Sequence, residues 1–144
     1  MKTLITCLIF SMIVFSSCDK EKVVDETSLP SPAREFIEAH FPSVSISQVV
    51  RDRDDLTTSY DVILDNQVKL EFDKSGDVKS VEGTRTEKLP DSMIPANVLG
   101  YVQNNYADHF IVEWDKDKTD QEIQLSNGLE LIFNLSGTFL RIDN

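Results

Sequence analysis

An internal repeat constrains this chain more than any other feature. Leu29-Pro30, followed by Phe36-Ile37, Phe41 and Ile46, recurs as Ile94-Pro95, Tyr101-Val102, Tyr106 and Ile111, 65 positions later. Asn66, Val68, Leu70, Phe72, Ser75 and Gly76 then recur as Asn127, Leu129, Leu131, Phe133, Ser136 and Gly137, at an offset of 61. The second copy is therefore shorter by four residues between its first and second strands. Each copy, residues 29–84 and 89–144, reads as one supersecondary unit. A unit of about 60 residues is marginal alone, so the two are expected to share one core.

Each copy opens with a helix. Pro32 suits a first turn, where a missing N–H costs least, and Ser31 is the expected cap. Ala33, Phe36, Ile37 and Phe41 form one apolar stripe, and Pro42 ends the helix. Val98, Tyr101, Val102 and Tyr106 form the matching stripe, with Gly100 weakening that helix by about 1 kcal/mol relative to alanine.

Strands follow, starting near Ile46 and Ile111. Tyr60, Val62 and Leu64 alternate with polar residues, as do Val68, Leu70 and Phe72, which predicts one buried and one wet face. Asp65-Asn66 and Asn127-Gly128 are pairs that close hairpins, and Ser75-Gly76 and Ser136-Gly137 mark the next turns, before Val78–Val81 and Phe139–Ile142. The expected class is α+β: two tandem helix-plus-four-strand repeats in one antiparallel sheet, with the helices on one face.

The amino terminus fixes a location. Lys2, an apolar run from Leu4 to Phe15 too short to span a bilayer, and Phe15-Ser16-Ser17-Cys18 resemble a bacterial lipoprotein signal. Residues 1–17 are expected to be removed, Cys18 to carry lipid, and residues 18–28 to act as an acidic tether. Several acyl chains on one residue make a stable anchor where one is marginal. The expected location is the cell envelope, as an outer-membrane lipoprotein on either the periplasmic or the outer side.

The formal charge of −11 disfavours nucleic acid, whose phosphates it would repel, and contact with an anionic membrane beyond the lipid. Cys7 lies in the signal and Cys18 takes lipid, so the fold has no thiol for a disulfide, a nucleophile or a zinc site. The five glycines are scattered and build no phosphate loop, no G-x-S-x-G occurs, and His40 and His109 stand beside no metal-ligand pattern. No enzyme activity and no cofactor are expected.

Acidic residues make the one constellation to weigh. Asp52, Asp54 and Asp55 fall between the first two strands of copy one, and Asp115, Asp117 and Asp120 between those of copy two. The second set begins like a calcium loop, but Asp120 stands where glycine is wanted and Ser126 where the bidentate glutamate belongs. These three are weak metal candidates, and a solvated hairpin end is the preferred reading. Trp114 aligns with Val49, which makes it a core residue, or an interface anchor where it is exposed.

The lipoprotein signal, the acidic tether and two copies of [Leu/Ile]-Pro, helix, aromatic-aliphatic pair and hairpins ending in Phe-x-x-Ser-Gly resemble the PepSY-like family, over residues 29–144. That family is also described as similar to the beta-lactamase inhibitor protein. The matching residues are packing and turn positions, which specify fold better than function. The resemblance implies a small exported protein. The lack of any nucleophile, base or metal constellation points to a monomer that binds another envelope protein or peptide without catalysis, by the open sheet face or an edge. The resemblance also implies, as an alternative, an inhibitor or chaperone of an envelope peptidase or beta-lactamase. The beta-lactamase inhibitor is disulfide-bonded and this fold has no cysteine, so its inhibitory surface does not carry over.

Overall fold

A computed structural model describes residues 21–53 and 56–143. Cys18 and the signal segment lie outside these residues, as do Asp54 and Asp55. Nine strands form one sheet in sequential order, every neighbouring pair antiparallel. They are β1 (Glu21–Val24), β2 (Ile46–Arg53), β3 (Thr58–Leu64), β4 (Lys69–Asp73), β5 (Val78–Glu82), β6 (Ile111–Lys116), β7 (Asp120–Leu125), β8 (Glu130–Asn134) and β9 (Phe139–Asp143). Helix α1 (Ser31–His40) precedes β2, and α2 (Ala96–Asn105) precedes β6. The architecture is α+β, with two helices and one antiparallel sheet.

One core serves the whole sheet. Val49, Val62, Leu70, Phe72, Val81, Trp114, Ile123, Leu131 and Phe133 are buried together. Ala33 and Ile37 of α1 join them, with Val98 and Val102 of α2. Ring contacts tie each helix down: Phe36 lies 5.9 Å from Phe72, and Tyr101 lies 5.3 Å from Phe133 and 4.7 Å from Phe139. Burial of this apolar face supplies the main driving force for folding.

The turns after β4 and β8 are built alike. The Asp73 carboxylate accepts hydrogen bonds from the N–H groups of Ser75 and Asp77, and the Asn134 side-chain oxygen accepts from those of Ser136 and Thr138. Gly76 and Gly137 follow at φ +88 and +82, a region that side chains disfavour. A Cβ on Gly76 would come 2.9 Å from the backbone nitrogen of Ala33, and one on Gly137 2.6 Å from Cβ of Asn97. Each turn is thus pressed against the start of its own helix, which explains the Ser-Gly pairs in physical terms.

Two expectations need correction. Residues 21–24 do not run free as a tether: they form β1, with Val24 opposite Val49 and Glu21 opposite Asp52. Two valines that can cover the exposed flank of β2 outweigh two charged neighbours. Ser31 is not the cap of α1: Pro30 holds that position without a side-chain bond, and Ser31 already belongs to the helix. Asp65-Asn66 does form the β3–β4 turn, and Gln67 behind it takes the left-handed conformation, at φ 70, where Gly128 stands in the β7–β8 turn.

Candidate acidic sheet face

With the helices on one face, the sheet presents its other face without a covering element among the described residues. Register places the outward residues in lateral rows. One row runs Asp61, Glu71, Ser80, Asp115, Glu122, Ile132, Arg141 across β3 to β9. The next runs Ile63, Lys69, Glu82, Glu113, Gln124, Glu130, Asp143. Four directly opposed pairs therefore carry like charge: Asp61 with Glu71, Asp115 with Glu122, Glu82 with Glu113, and Glu130 with Asp143. Like charges directly opposite each other destabilise a sheet.

Two basic side chains stand in these rows. Lys69 Nζ lies 3.2 Å from Glu82 Oε2, and Arg141 lies 3.9 Å from Asp143. The acids outnumber them, and proton affinity shows the strain. Partial burial raises Asp61, with the charges of Asp52 and Glu21 adding to it. Burial likewise raises Glu71, helped by Asp61 and Asp115 and opposed by Lys79. Glu113 is raised by burial, then by Glu82, Asp115 and Glu130. Burial comes first again for Asp115, with Asp117 behind it, and for Glu122, with Glu130, Asp143, Asp115 and Glu113 behind it. Each carboxylate thus holds its proton more tightly, first because it is partly buried and then because its neighbours are also acids. A concavity of about 380 Å³ opens on this face between Glu21, Asp61, Glu71 and Glu82.

The residues singled out in the sequence fall differently. Asp52 and Asp115 lie within β2 and β6, on this face, and Asp120 begins β7. They were expected in connecting loops, but each hairpin pairs further out than the apolar pattern reaches. Only Asp117 of the metal candidates sits in the turn, where its N–H donates to the Asp120 carbonyl. Among the described residues, no three His, Cys, Asp or Glu side chains converge to hold a metal ion. Trp114 is buried, and its Nε1–H donates to Gln121 Oε1 at 3.0 Å, while Gln121 donates onward to the Asn134 carbonyl. It is a core residue.

One juxtaposition was invisible in the sequence. His40 Nδ1 and Ser92 Oγ share a hydrogen bond of 2.8 Å, 52 positions apart. Burial lowers the His40 pKa. Phe36 packs on the same ring at 4.5 Å. The contact ties the end of α1 to the segment leading into α2.

The family model described as "Putative beta-lactamase-inhibitor-like, PepSY-like" matches residues 16–57 and 58–141. Among solved structures, the chain is similar to a "putative calcium-regulated periplasmic protein" from Bacteroides thetaiotaomicron, with a TM-score of 0.83 and 36% identity over 88% of this chain and 98% of that one. It is also similar to a "putative periplasmic protein" from Bacteroides vulgatus, with a TM-score of 0.82 and 35% identity over 88% and 99% of the two chains. A second Bacteroides vulgatus protein, described as of unknown function, gives 0.81 and 32% over 86% and 99%. No curated protein matches the chain. No helix among the described residues is long and apolar enough to cross a membrane.

Proposed function

This chain belongs to the PepSY-like family, and on that premise we propose that it is a non-catalytic binding module of the cell envelope. Its ligand is a cationic surface of another envelope protein or peptide, received on the acidic sheet face. One observation carries this reading: the four like-charge pairs set directly opposite one another on an uncovered face. A sheet that only needed solubility would alternate its charges. A partner bearing Lys or Arg would relieve the repulsion and find its orientation from the rows, with attraction that weakens as salt screens it. The envelope location is supported by the periplasmic relatives, and the anchor is Cys18 in the outer membrane.

Crosslinking in intact cells, followed by mass spectrometry, compares the natural chain with one carrying Asp61→Asn, Glu71→Gln, Glu113→Gln and Glu122→Gln. The captured partner should be lost from the neutral variant while the fold is kept. An unchanged set of crosslinks sinks the reading. The anchor is checked separately: Cys18→Ser should leave the protein unprocessed or soluble, and a mature chain without acyl mass removes the lipoprotein.

Two further readings have one observation each. The relative described as calcium-regulated and the opposed carboxylates together favour a divalent cation as a second ligand of this face. A thermal shift in millimolar calcium that vanishes in the neutral variant would support it. The beta-lactamase-inhibitor-like description favours an inhibitor or chaperone of a hydrolase. Titration against envelope peptidases and beta-lactamases, at low and high salt, decides that case.

A further inference from the structure

The strand order ends at β9, whose outer edge has no neighbouring strand among the described residues. β5 shows what such an edge accepts, because the two strands sit in the same register. Leu70 pairs with Val81 as Leu131 pairs with Ile142, and Phe72 with Val78 as Phe133 with Phe139, with a bulge at the same place. Beyond β5 lies β6, which sets Trp114 opposite Val81 and Asp115 opposite Ser80. Val81 is fully buried as a result, whereas Ile142, its counterpart, is 44% exposed.

The side chains along this edge point the same way. Lys79 of β5 gives way to Leu140 of β9, which is 49% exposed, and Lys74 in the preceding turn gives way to Leu135, which is 47% exposed. Natural edges are blunted by lysine and by charge, and here the strand lysine, Lys79, stands on β5, which is already paired. Ser80 gives way to Arg141, at the position whose neighbour in the first half is Asp115. The edge thus carries Ile142 on the helix side, and Arg141 and Asp143 on the other.

We propose that the edge of β9 is a second docking site, distinct from the acidic face, which takes an extended segment of another polypeptide as a tenth antiparallel strand. The segment sets an aromatic or large aliphatic side chain opposite Ile142, an acidic one opposite Arg141, and a basic one opposite Asp143. Backbone hydrogen bonds hold it, and these alternate side chains select it.

The strand that covers β5 supplies a probe. A synthetic peptide of residues 109–118, with Glu113→Lys to oppose Asp143, is titrated into the full chain in detergent. Amide hydrogen exchange is followed along β9. Binding should protect the β9 amides, and Leu140→Lys with Ile142→Lys should weaken it by about tenfold or more, since an apolar contact is exchanged for charge. Both positions are exposed, and an unchanged melting temperature verifies that the variant folds. Arg141→Glu should abolish binding, and Asp115→Lys in the peptide should restore it. Equal binding to the natural chain and the double variant, or binding without protection of β9, overturns the proposal. So does sedimentation showing that two copies pair through β9 and exclude the peptide.

Discussion

The first half of the sheet and the second share a backbone plan and differ in how each completes it. Bulges fall at equivalent places, between Ile46 and Gln48 and between Ile111 and Glu113, then between Glu71 and Phe72 and between Ile132 and Phe133. The difference in length is spread along one hairpin. β2 has 8 residues where β6 has 6, and β3 has 7 where β7 has 6. The overhang of β2, Asp52 and Arg53, is not idle, since Asp52 pairs with Glu21 of β1. Backbone register thus tolerates changes in side chains, and added length is used where a new neighbour can pair with it.

The sharpest test of this comparison is in the core. Phe72 and Phe133 hold equivalent, fully buried positions. Phe133 touches two rings, Tyr101 and Phe139, while Phe72 touches Phe36. Truncation of either to alanine should cost about 3–5 kcal/mol. Phe133→Ala should cost more, by about 1 kcal/mol, because an aromatic pair adds roughly that much. Chemical denaturation of both variants measures it, and equal losses would show that the extra ring contact contributes nothing.

The glycine turns come next. Gly76→Ala and Gly137→Ala each force a positive φ and a clash with the start of a helix, at a cost of about 1–3 kcal/mol for the backbone alone. Melting temperatures of the two should fall together; a loss in only one half would break the equivalence of the turns.

Gln67 and Gly128 give an effect of opposite sign. Gln67→Gly should stabilise the chain by up to about 1 kcal/mol, since the left-handed region costs a side chain about 1–2 kcal/mol and glycine returns part of that in chain entropy. Gly128→Gln should destabilise by a similar amount, with no clash to add, because nothing lies within 4 Å.

The smallest effect belongs to the acidic face, which spans both halves. Asp61, Glu71, Glu113, Asp115 and Glu122 are all raised, so the folded chain keeps these protons where the unfolded chain has released them. Their effect on stability is therefore favourable at low pH and is lost as pH rises through the carboxylate range. Asp73 runs the other way: hydrogen bonds from Ser75 and Asp77, with Lys79, outweigh its burial and lower it. Its contribution is present above the unfolded value and disappears as pH falls. Water screens all of these groups, so Glu122→Gln should raise stability at neutral pH by a few tenths of a kcal/mol at most. Urea denaturation at several pH values would show the gain vanish under acid.

The sequence made the α+β class, both helices and the turns legible because apolar spacing and glycine are local signals. Val68, Leu70 and Phe72 declared their face by alternation, whereas Leu131 and Phe133, in an unbroken run with Ile132, were placed by the repeat. β1 was missed because Glu21 to Val24 is too short to show a period, and its partner lies far along the chain. The acidic face was half readable: Asp61, Glu71, Asp115 and Glu122 each stand at a wet position of β3, β4, β6 and β7. That Asp61 meets Glu71, or Glu82 meets Glu113, depends on register, which no single strand reveals. The pairing of His40 with Ser92 had no signal at all.

The short β1 strand also sets how the molecule stands. Two residues separate Cys18 from Glu21, and a chain spans at most about 3.5 Å per residue. If Cys18 carries the proposed lipid, the start of β1 lies within about 10 Å of the acyl attachment. Neighbouring strands are spaced about 4.8 Å apart, and the nine are in sequential order. The two proposed sites are then unequal in reach: the edge of β9 is the far side of the sheet, roughly 40 Å from β1 by the same spacing.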